Sequence, residues 1–338
     1  MDVIFEDAHL TVGFATSSPD IPLLVHAHSP AYSISEWIED NGTSVMKWLL
    51  EYGAILFRGF GTKDIEAFRD LTRSVTPQLI EYAGGTSPRL KVDAGIYTST
   101  EYPAQFPITL HNEMSYSCRW PDLIYFYCDT PPAKGGQTPI ADSRAVLKLL
   151  SDELVSELQS RGVMYARRMF GASSAHASWQ WIFQTQERSV VEQFCIERDI
   201  AFSWERGDTL VTRETRPAVR VHPITNEAVW FNQAHMWHVS NSPIAIDMKT
   251  MRAEDLPMNA YRGDGEPLRV QLLDEIRRAY RASTRMFDWQ AGDVLLLDNM
   301  LVSHGRMPFT GSRRILVTMG NRPAAVAGLA DPAAAGAE

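Results

Sequence analysis

The chain has 338 residues, 45% of them hydrophobic and 22% charged, with a formal net charge of −9. That length and apolar share suffice for a substantial core; no apolar run nears the roughly 20 residues of a membrane-spanning helix, and an acidic balance without a dense Lys/Arg stripe argues against nucleic acid as a partner. Asp2, Glu6 and Asp7 stand where a secretory leader would be basic, and Cys118, Cys128 and Cys195 lack both a disulfide framework and CxxC spacing, so a reducing cytoplasm is the expected location.

Apolar spacing through Ile34, Trp37, Ile38, Val45, Trp48 and Leu49 predicts a helix over residues 33–52, followed by a strand at 54–57 and punctuation at Gly59 and Gly61. A second helix is predicted over 64–75, through Ile65, Phe68 and Leu71, and a Gly-Ser-Pro loop near 84–88 closes that unit. Short β runs follow at 123–128 and 137–141, separated by Pro131-Pro132 and Gly135-Gly136. A helical insert and lid region is expected over residues 143–208, with helices at 143–159 and 188–198. Strand character returns at 209–212, 218–222, 228–232, 293–297 and 315–319, with a helix at 268–283 among them. The pattern predicts a mainly β, α+β chain forming one domain over residues 1–322. The Ala, Gly and Pro of 323–338 predict a disordered tail, because they bury too little apolar surface to offset ordering.

Chemistry concentrates in Leu110-His111-Asn112-Glu113-Met114. Side chains two apart on an extended segment share a face, so His111 and Glu113 can chelate one ion there, whereas a helix would splay them. His304, in Leu301-Val-Ser-His-Gly-Arg, follows a strand-like run and the turn residues Asp298-Asn299, and is the candidate third ligand. Two histidines and one carboxylate on one face of an octahedron leave adjacent positions open, as non-haem iron(II) requires to bind a cosubstrate and oxygen together. Zinc is usually content with four ligands.

Seven segments in order, from Tyr52-Gly-Ala-Ile-Leu-Phe-Arg-Gly-Phe through Ser99-Thr-Glu-Tyr-Pro, His111-Asn-Glu-Met-Ser-Tyr, Gly135-Gly-Gln-Thr-Pro-Ile-Ala-Asp-Ser, Val229-Trp-Phe-Asn-Gln-Ala-His and Asp298-Asn-Met-Leu-Val-Ser-His-Gly-Arg to Arg313-Arg314, give the chain a family character. It resembles the TauD/TfdA family of 2-oxoglutarate oxygenases, with a clavaminate synthase-like fold, and within it the SyrP-like amino-acid hydroxylases of natural-product pathways. The resemblance implies a double-stranded β-helix, a distorted jelly roll with outer helices, and iron(II) on His111, Glu113 and His304. It also implies that Thr138 hydrogen-bonds the distal carboxylate of 2-oxoglutarate and that Arg314 forms its ion pair. A planar guanidinium suits a carboxylate through two parallel bonds. Adjacent residues on a strand face opposite ways, so only one of Arg313 and Arg314 enters the barrel, and Arg314 is the expected one.

The same resemblance implies that 2-oxoglutarate and O2 are consumed with release of succinate and CO2 while a substrate C–H bond is oxidised. Halogenating relatives have a small residue where this chain has Glu113, so hydroxylation is the expected outcome, with desaturation and cyclisation as alternatives on the same ligands. An amino acid or a derivative of one, free or tethered to a carrier protein, is the expected substrate. Arg89, Asn232 and His235 are candidate contacts to it; His235 and His238, without a carboxylate beside them, are not read as a second metal pair. Trp179, Trp181 and Phe183 are expected to pack in the insert and to cover the barrel mouth. A zinc hydrolase would call for a helical HExxH, which is absent, and a non-catalytic jelly roll gives no reason for Thr138 and Arg314 to accompany the triad.

Overall fold

The computed structural model describes residues 3–14, 21–77, 79–80, 89–99, 102–171, 178–242, 252 and 255–323. The expected tail, apart from Pro323, and the expected 84–88 loop lie outside them. No helix among the described residues is long and apolar enough to cross a membrane.

Two sheets make the barrel. The larger runs in the order Val3–Glu6, Leu10–Phe14, Leu23–Ala27, Ala54–Arg58, Val294–Asp298, Leu123–Thr130, Arg314–Gly320, Ile96–Thr98, Lys91–Asp93. Its neighbours are antiparallel except Leu23–Ala27 beside Ala54–Arg58, which are parallel and joined through the helix Ile34–Tyr52, the crossover a parallel pair requires. The smaller sheet runs Thr284–Arg285, Ile140–Asp142, Val302–Arg306, Ile108–His111.

Alternation along the large sheet decides what each face buries. Leu56, Ile124, Phe126, Leu295, Leu297 and Val317 point inward and meet Ile140 and Val302 of the small sheet. Ile55, Phe57, Tyr125, Tyr127, Leu296 and Leu316 point outward, against Trp37, Leu49, Phe68 and Leu71 of the helices Ile34–Tyr52 and Ile65–Val75. Both helices start one residue after the expected bounds, at Ile34 and Ile65, because Ser33 and Asp64 are themselves the caps of the first turn, each through a side-chain oxygen. The result is the expected jelly roll with helices packed outside.

The segment expected to be a helical insert is not helical throughout. Val163–Met169 and Ala201–Glu205 are strands, and they join Thr209–Arg216 and Met258–Arg262 in a third antiparallel sheet, ordered Ala201–Glu205, Thr209–Arg216, Val163–Met169, Met258–Arg262. Arg167 and Arg168 sit mid-strand and obscure the alternation that would have marked it. The expected helix at 143–159 is two, Ser143–Lys148 and Asp152–Arg161, because Ser151 caps a new helix by accepting from the Leu154 N–H. The expected strand at 137–141 shrinks to Ile140–Asp142. Ahead of it Gly135 and Gly136 both have positive φ, 73° and 69°, and a Cβ on Gly135 would lie 2.2 Å from the Pro308 carbonyl oxygen. Only glycine makes that turn, and the turn delivers Thr138 to the barrel mouth.

Candidate metal centre and cosubstrate pocket

Antiparallel pairing of Ile108–His111 with Val302–Arg306 sets His111 directly opposite His304, with ring centroids 4.6 Å apart. Glu113 follows just past the strand end, where Met114 takes a left-handed conformation at φ 55°, a region uncommon for non-glycine residues and characteristic of functional turns. The three side chains, 8%, 4% and 5% exposed, converge: one ligand atom from each of His111, Glu113 and His304 lies within 4.8 Å of the others.

The arrangement fits a metal in more than distance. His111 Nδ1 donates to the Thr109 carbonyl at 2.8 Å, which leaves the lone pair on Nε2 as the ligand atom. Nδ1 of His304 is buried with no hydrogen-bond partner among the described residues, and its Nε2 is 4.0 Å from Glu113 Oε2. Burial holds both imidazoles below their ordinary pKa, in the neutral form that binds metal. Arg89 points at this centre: its Nη2 donates to Glu113 Oε2 at 2.6 Å in a buried pair.

Asn299 fixes the backbone of Glu113 from both sides. Its Oδ1 accepts from the Glu113 N–H at 2.7 Å, and its Nδ2 donates to the carbonyls of Glu113 and Pro121, each at 2.9 Å. Asn112 turns away from the centre and donates to the Asn299 carbonyl and to Ser143. Asp298 caps the same turn, accepting from the N–H groups of Met300 and Leu301, and its other oxygen meets His222 and Arg322. Burial pushes the Asp298 carboxyl up, yet Arg322 and His222 outweigh it and hold the group below the usual carboxylate range. The sequence marked Asp298-Asn299 only as a turn; Asn299 as the clamp on Glu113 was missed, and the one local signal was a short polar pair between two apolar strands.

Beside the triad a small void of about 30 Å³ is lined by Thr138, Arg313, His111 and His304, with Arg89 at its edge. The expectation for Arg314 is corrected here: it is 45% exposed and its Nη1 lies 3.3 Å from Asp129. Strand parity is the reason. Ile315, Val317 and Met319 face the barrel interior, which puts Arg313 inward and Arg314 outward. Arg313 Nε donates to the Gly136 carbonyl at 3.0 Å and Nη1 to Ser99 Oγ at 3.3 Å. No carboxylate among the described residues pairs with it, and burial together with Arg306 lowers it to about 10. A buried cation without an anion costs several kcal/mol, so this pocket suits a carboxylate ligand. Thr138, also buried, accepts from Trp289 Nε1 at 3.2 Å, which leaves its own proton to donate.

These donors match a cosubstrate dicarboxylate beside a metal, and comparison with known proteins decides the family. Residues 21–319 match the family model described as taurine catabolism dioxygenase TauD, TfdA family. The chain belongs to the TauD/TfdA family. It is 36% identical over 307 residues to the dapdiamide synthesis protein DdaC of Enterobacter agglomerans, covering 90% of this chain and 92% of that one. A clavaminate synthase-like protein of Arabidopsis thaliana is 31% identical over 281 residues, 80% of this chain and 82% of the relative. Among solved structures, PvcB of Pseudomonas aeruginosa superposes with a TM-score of 0.58 at 17% identity over 96% of this chain and 95% of its own, a likeness of fold. As a member of this family, the protein is a non-haem iron, 2-oxoglutarate-dependent dioxygenase acting on a small molecule.

In this TauD/TfdA protein the expected substrate contacts Asn232 and His235 are both engaged elsewhere. Asn232 Nδ2 donates to the Ala218 carbonyl at 3.0 Å and its Oδ1 accepts from the Ala234 N–H at 3.0 Å; it ties the residue ahead of the strand Val219–Val221 to the short helix Ala234–Trp237. His235 Nε2 donates to the Leu110 carbonyl at 2.9 Å, and its ring packs on Tyr280 with centroids 4.5 Å apart. Arg89, expected to hold substrate, faces Glu113. Of the aromatic cluster, Trp179 is buried against Trp204, Trp181 is exposed, and Phe183 lines a large cleft.

Burial lowers His235 to about 3 and His238 to about 4. The unfolded chain takes up these protons near pH 6.5, the native state only near those lowered values, so stability is fully present above 6.5 and falls as pH drops through that window, by up to ~1.4 kcal/mol per pH unit per histidine. Thermal melts between pH 7.5 and 4.5 are expected to steepen below 6.5, and His235→Gln to flatten that slope. An unchanged slope in the variant would remove His235 from the account.

Proposed function

We propose that His111, Glu113 and His304 hold iron(II), that Thr138 and Arg313 hold the distal carboxylate of 2-oxoglutarate, and that the enzyme hydroxylates an unactivated C–H bond of an amino acid or amino-acid derivative. Arg313 carries this reading: a buried guanidinium with no acidic partner among the described residues, in one void with two of the three candidate ligands. The iron with 2-oxoglutarate supplies the oxidising power. The chain's own part is to hold both histidines neutral, to fix the Glu113 backbone through Asn299, and to offer the cosubstrate two donors in a water-poor pocket. The void is about 30 Å³, room for roughly one water, so admitting 2-oxoglutarate requires its lining side chains to shift.

The product class rests on two supports. Glu113 is present, which keeps a carboxylate at the position that halogenating relatives vacate, and the relative DdaC is named for dapdiamide synthesis, which favours a natural-product pathway and a substrate built from amino acids, carrier-tethered forms included. Desaturation or cyclisation would use the same residues. The test is anaerobic titration with iron(II) and 2-oxoglutarate, watching for their charge-transfer absorption, then a succinate-release screen over free amino acids, dipeptides and carrier-bound aminoacyl groups. A band with substrate-dependent succinate supports the proposal; no band at saturating iron and 2-oxoglutarate refutes it.

A further inference from the structure

A cleft of about 1010 Å³ opens beside the metal centre. Met114, the residue after Glu113, lines it, as does Met319, whose Sδ is 3.8 Å from the Arg89 guanidinium. That volume is at the top of the range for drug-sized ligands and far exceeds a single amino acid. Four arginines line it, Arg119, Arg167, Arg198 and Arg220, against the acids Asp122 and Glu214. Glu214 is committed to Arg216 at 3.0 Å, and Asp122 accepts the Arg322 N–H at 3.0 Å. In a chain of net charge −9, this wall is positive.

Arg220 stands apart from the other three. Its guanidinium lies over the ring of Trp120, 4.4 Å from the centroid, and Phe231 braces that ring edge-on at 5.1 Å. Its Nε is buried with no hydrogen-bond partner, and none of the hydrogen bonds or ion pairs among the described residues involves it. Stacking occupies the face of a guanidinium and leaves its in-plane N–H groups free, the geometry that grips an oxyanion through two parallel bonds.

We infer that Arg220 on Trp120 receives an oxyanion of an extended substrate lying in this cleft, with the reacting carbon toward Met114 and the metal centre. The inference rests on the proposed function for where the chemistry occurs, and it names the substrate class: a peptide-sized molecule bearing an anionic end. That anion is either the carboxylate of a free acid or the phosphodiester of a carrier arm.

The probe is 8-anilinonaphthalene-1-sulfonate, a sulfonate on an aromatic body, set against N-phenyl-1-naphthylamine, the same body without the charge. Fluorescence titration of the full chain is expected to show Arg220→Gln weakening the sulfonate at least tenfold, Arg220→Lys weakening it less, and neither variant moving the neutral probe by more than twofold. Competition by an N-acetylated dipeptide acid, against its C-terminal amide, or by phosphopantetheine then identifies the source of the anion. Equal effects of Arg220→Gln on both dyes, or none on the sulfonate, overturn the inference. The anaerobic iron and 2-oxoglutarate band, read on the same samples, keeps the two failures apart: its absence in the wild type condemns the proposed function, whereas its presence unchanged in Arg220→Gln shows an intact centre whatever the dyes report.

Discussion

Glu113→Ala is expected to lower substrate-dependent succinate release at least a thousandfold and to weaken iron(II) binding in an anaerobic titration. Groups that merely orient a metal ligand are worth roughly 10- to 100-fold in affinity or activity, so deleting one of the three proposed ligands should cost more. The turn itself should persist, because Asn299 holds Glu113 by its backbone N–H and carbonyl and not by its side chain. Part of the damage falls on stability, since the guanidinium of Arg89 loses the buried carboxylate 2.6 Å away, and breaking a buried pair from one side costs about 3–5 kcal/mol. Glu113→Gln separates the two effects: its amide oxygen still accepts from Arg89, so the melting temperature should stay close to wild type while turnover is lost. Wild-type turnover in either variant would remove Glu113 from the metal centre.

How far the sequence could be read depended on whether a signal was local. Apolar spacing announced the two early helices because it repeats within each helix, and their caps Ser33 and Asp64, which act within one turn, agree with it; Ser151 would have announced a third had its competition with the surrounding apolar spacing been weighed. The His111 and Glu113 pair was legible because a two-residue spacing means one face wherever the chain is extended. His304 was found as the residue after a strand and a turn, yet its placement directly opposite His111 is a matter of strand register, which no local pattern encodes. Asn232 and His235 were misjudged for the converse reason. Polar residues in an aromatic stretch look poised for a ligand, and only the fold reveals that the carbonyls of Ala218 and Leu110, far away in sequence, had already claimed them. The third sheet was hidden because arginines fall on both of its faces, Arg167 in line with the buried Val163, Tyr165 and Met169 and Arg168 opposite, so the periodicity blurs.

Arg313 and Arg314 show a decision that the sequence contained and the family pattern overrode. Counting back by twos from the apolar residues Met319, Val317 and Ile315 reaches Arg313, and those three face the interior. The two substitutions should therefore part widely. Arg313→Ala is expected to raise the KM for 2-oxoglutarate by about 150- to 5,000-fold, the equivalent of the 3–5 kcal/mol at stake when one side of a buried charge pair is removed, with a matching loss of the charge-transfer absorption at fixed cosubstrate. Arg313→Lys should recover only part of it, because an ammonium cannot reproduce the fork that bonds Gly136, Ser99 and a carboxylate at once. Arg314→Ala removes an exposed partner of Asp129, and exposed pairs contribute about 0–1 kcal/mol, so its KM for 2-oxoglutarate should stay within twofold of wild type. Folding does not confound Arg313→Ala, since taking an unpaired buried cation out of the protein relieves a desolvation cost, and its melting temperature without cosubstrate should equal or exceed that of the wild type. The opposite ranking, with Arg314→Ala the damaging change, would mean that the strand Arg314–Gly320 enters the barrel one residue out of the register described here and that the carboxylate pocket lies elsewhere.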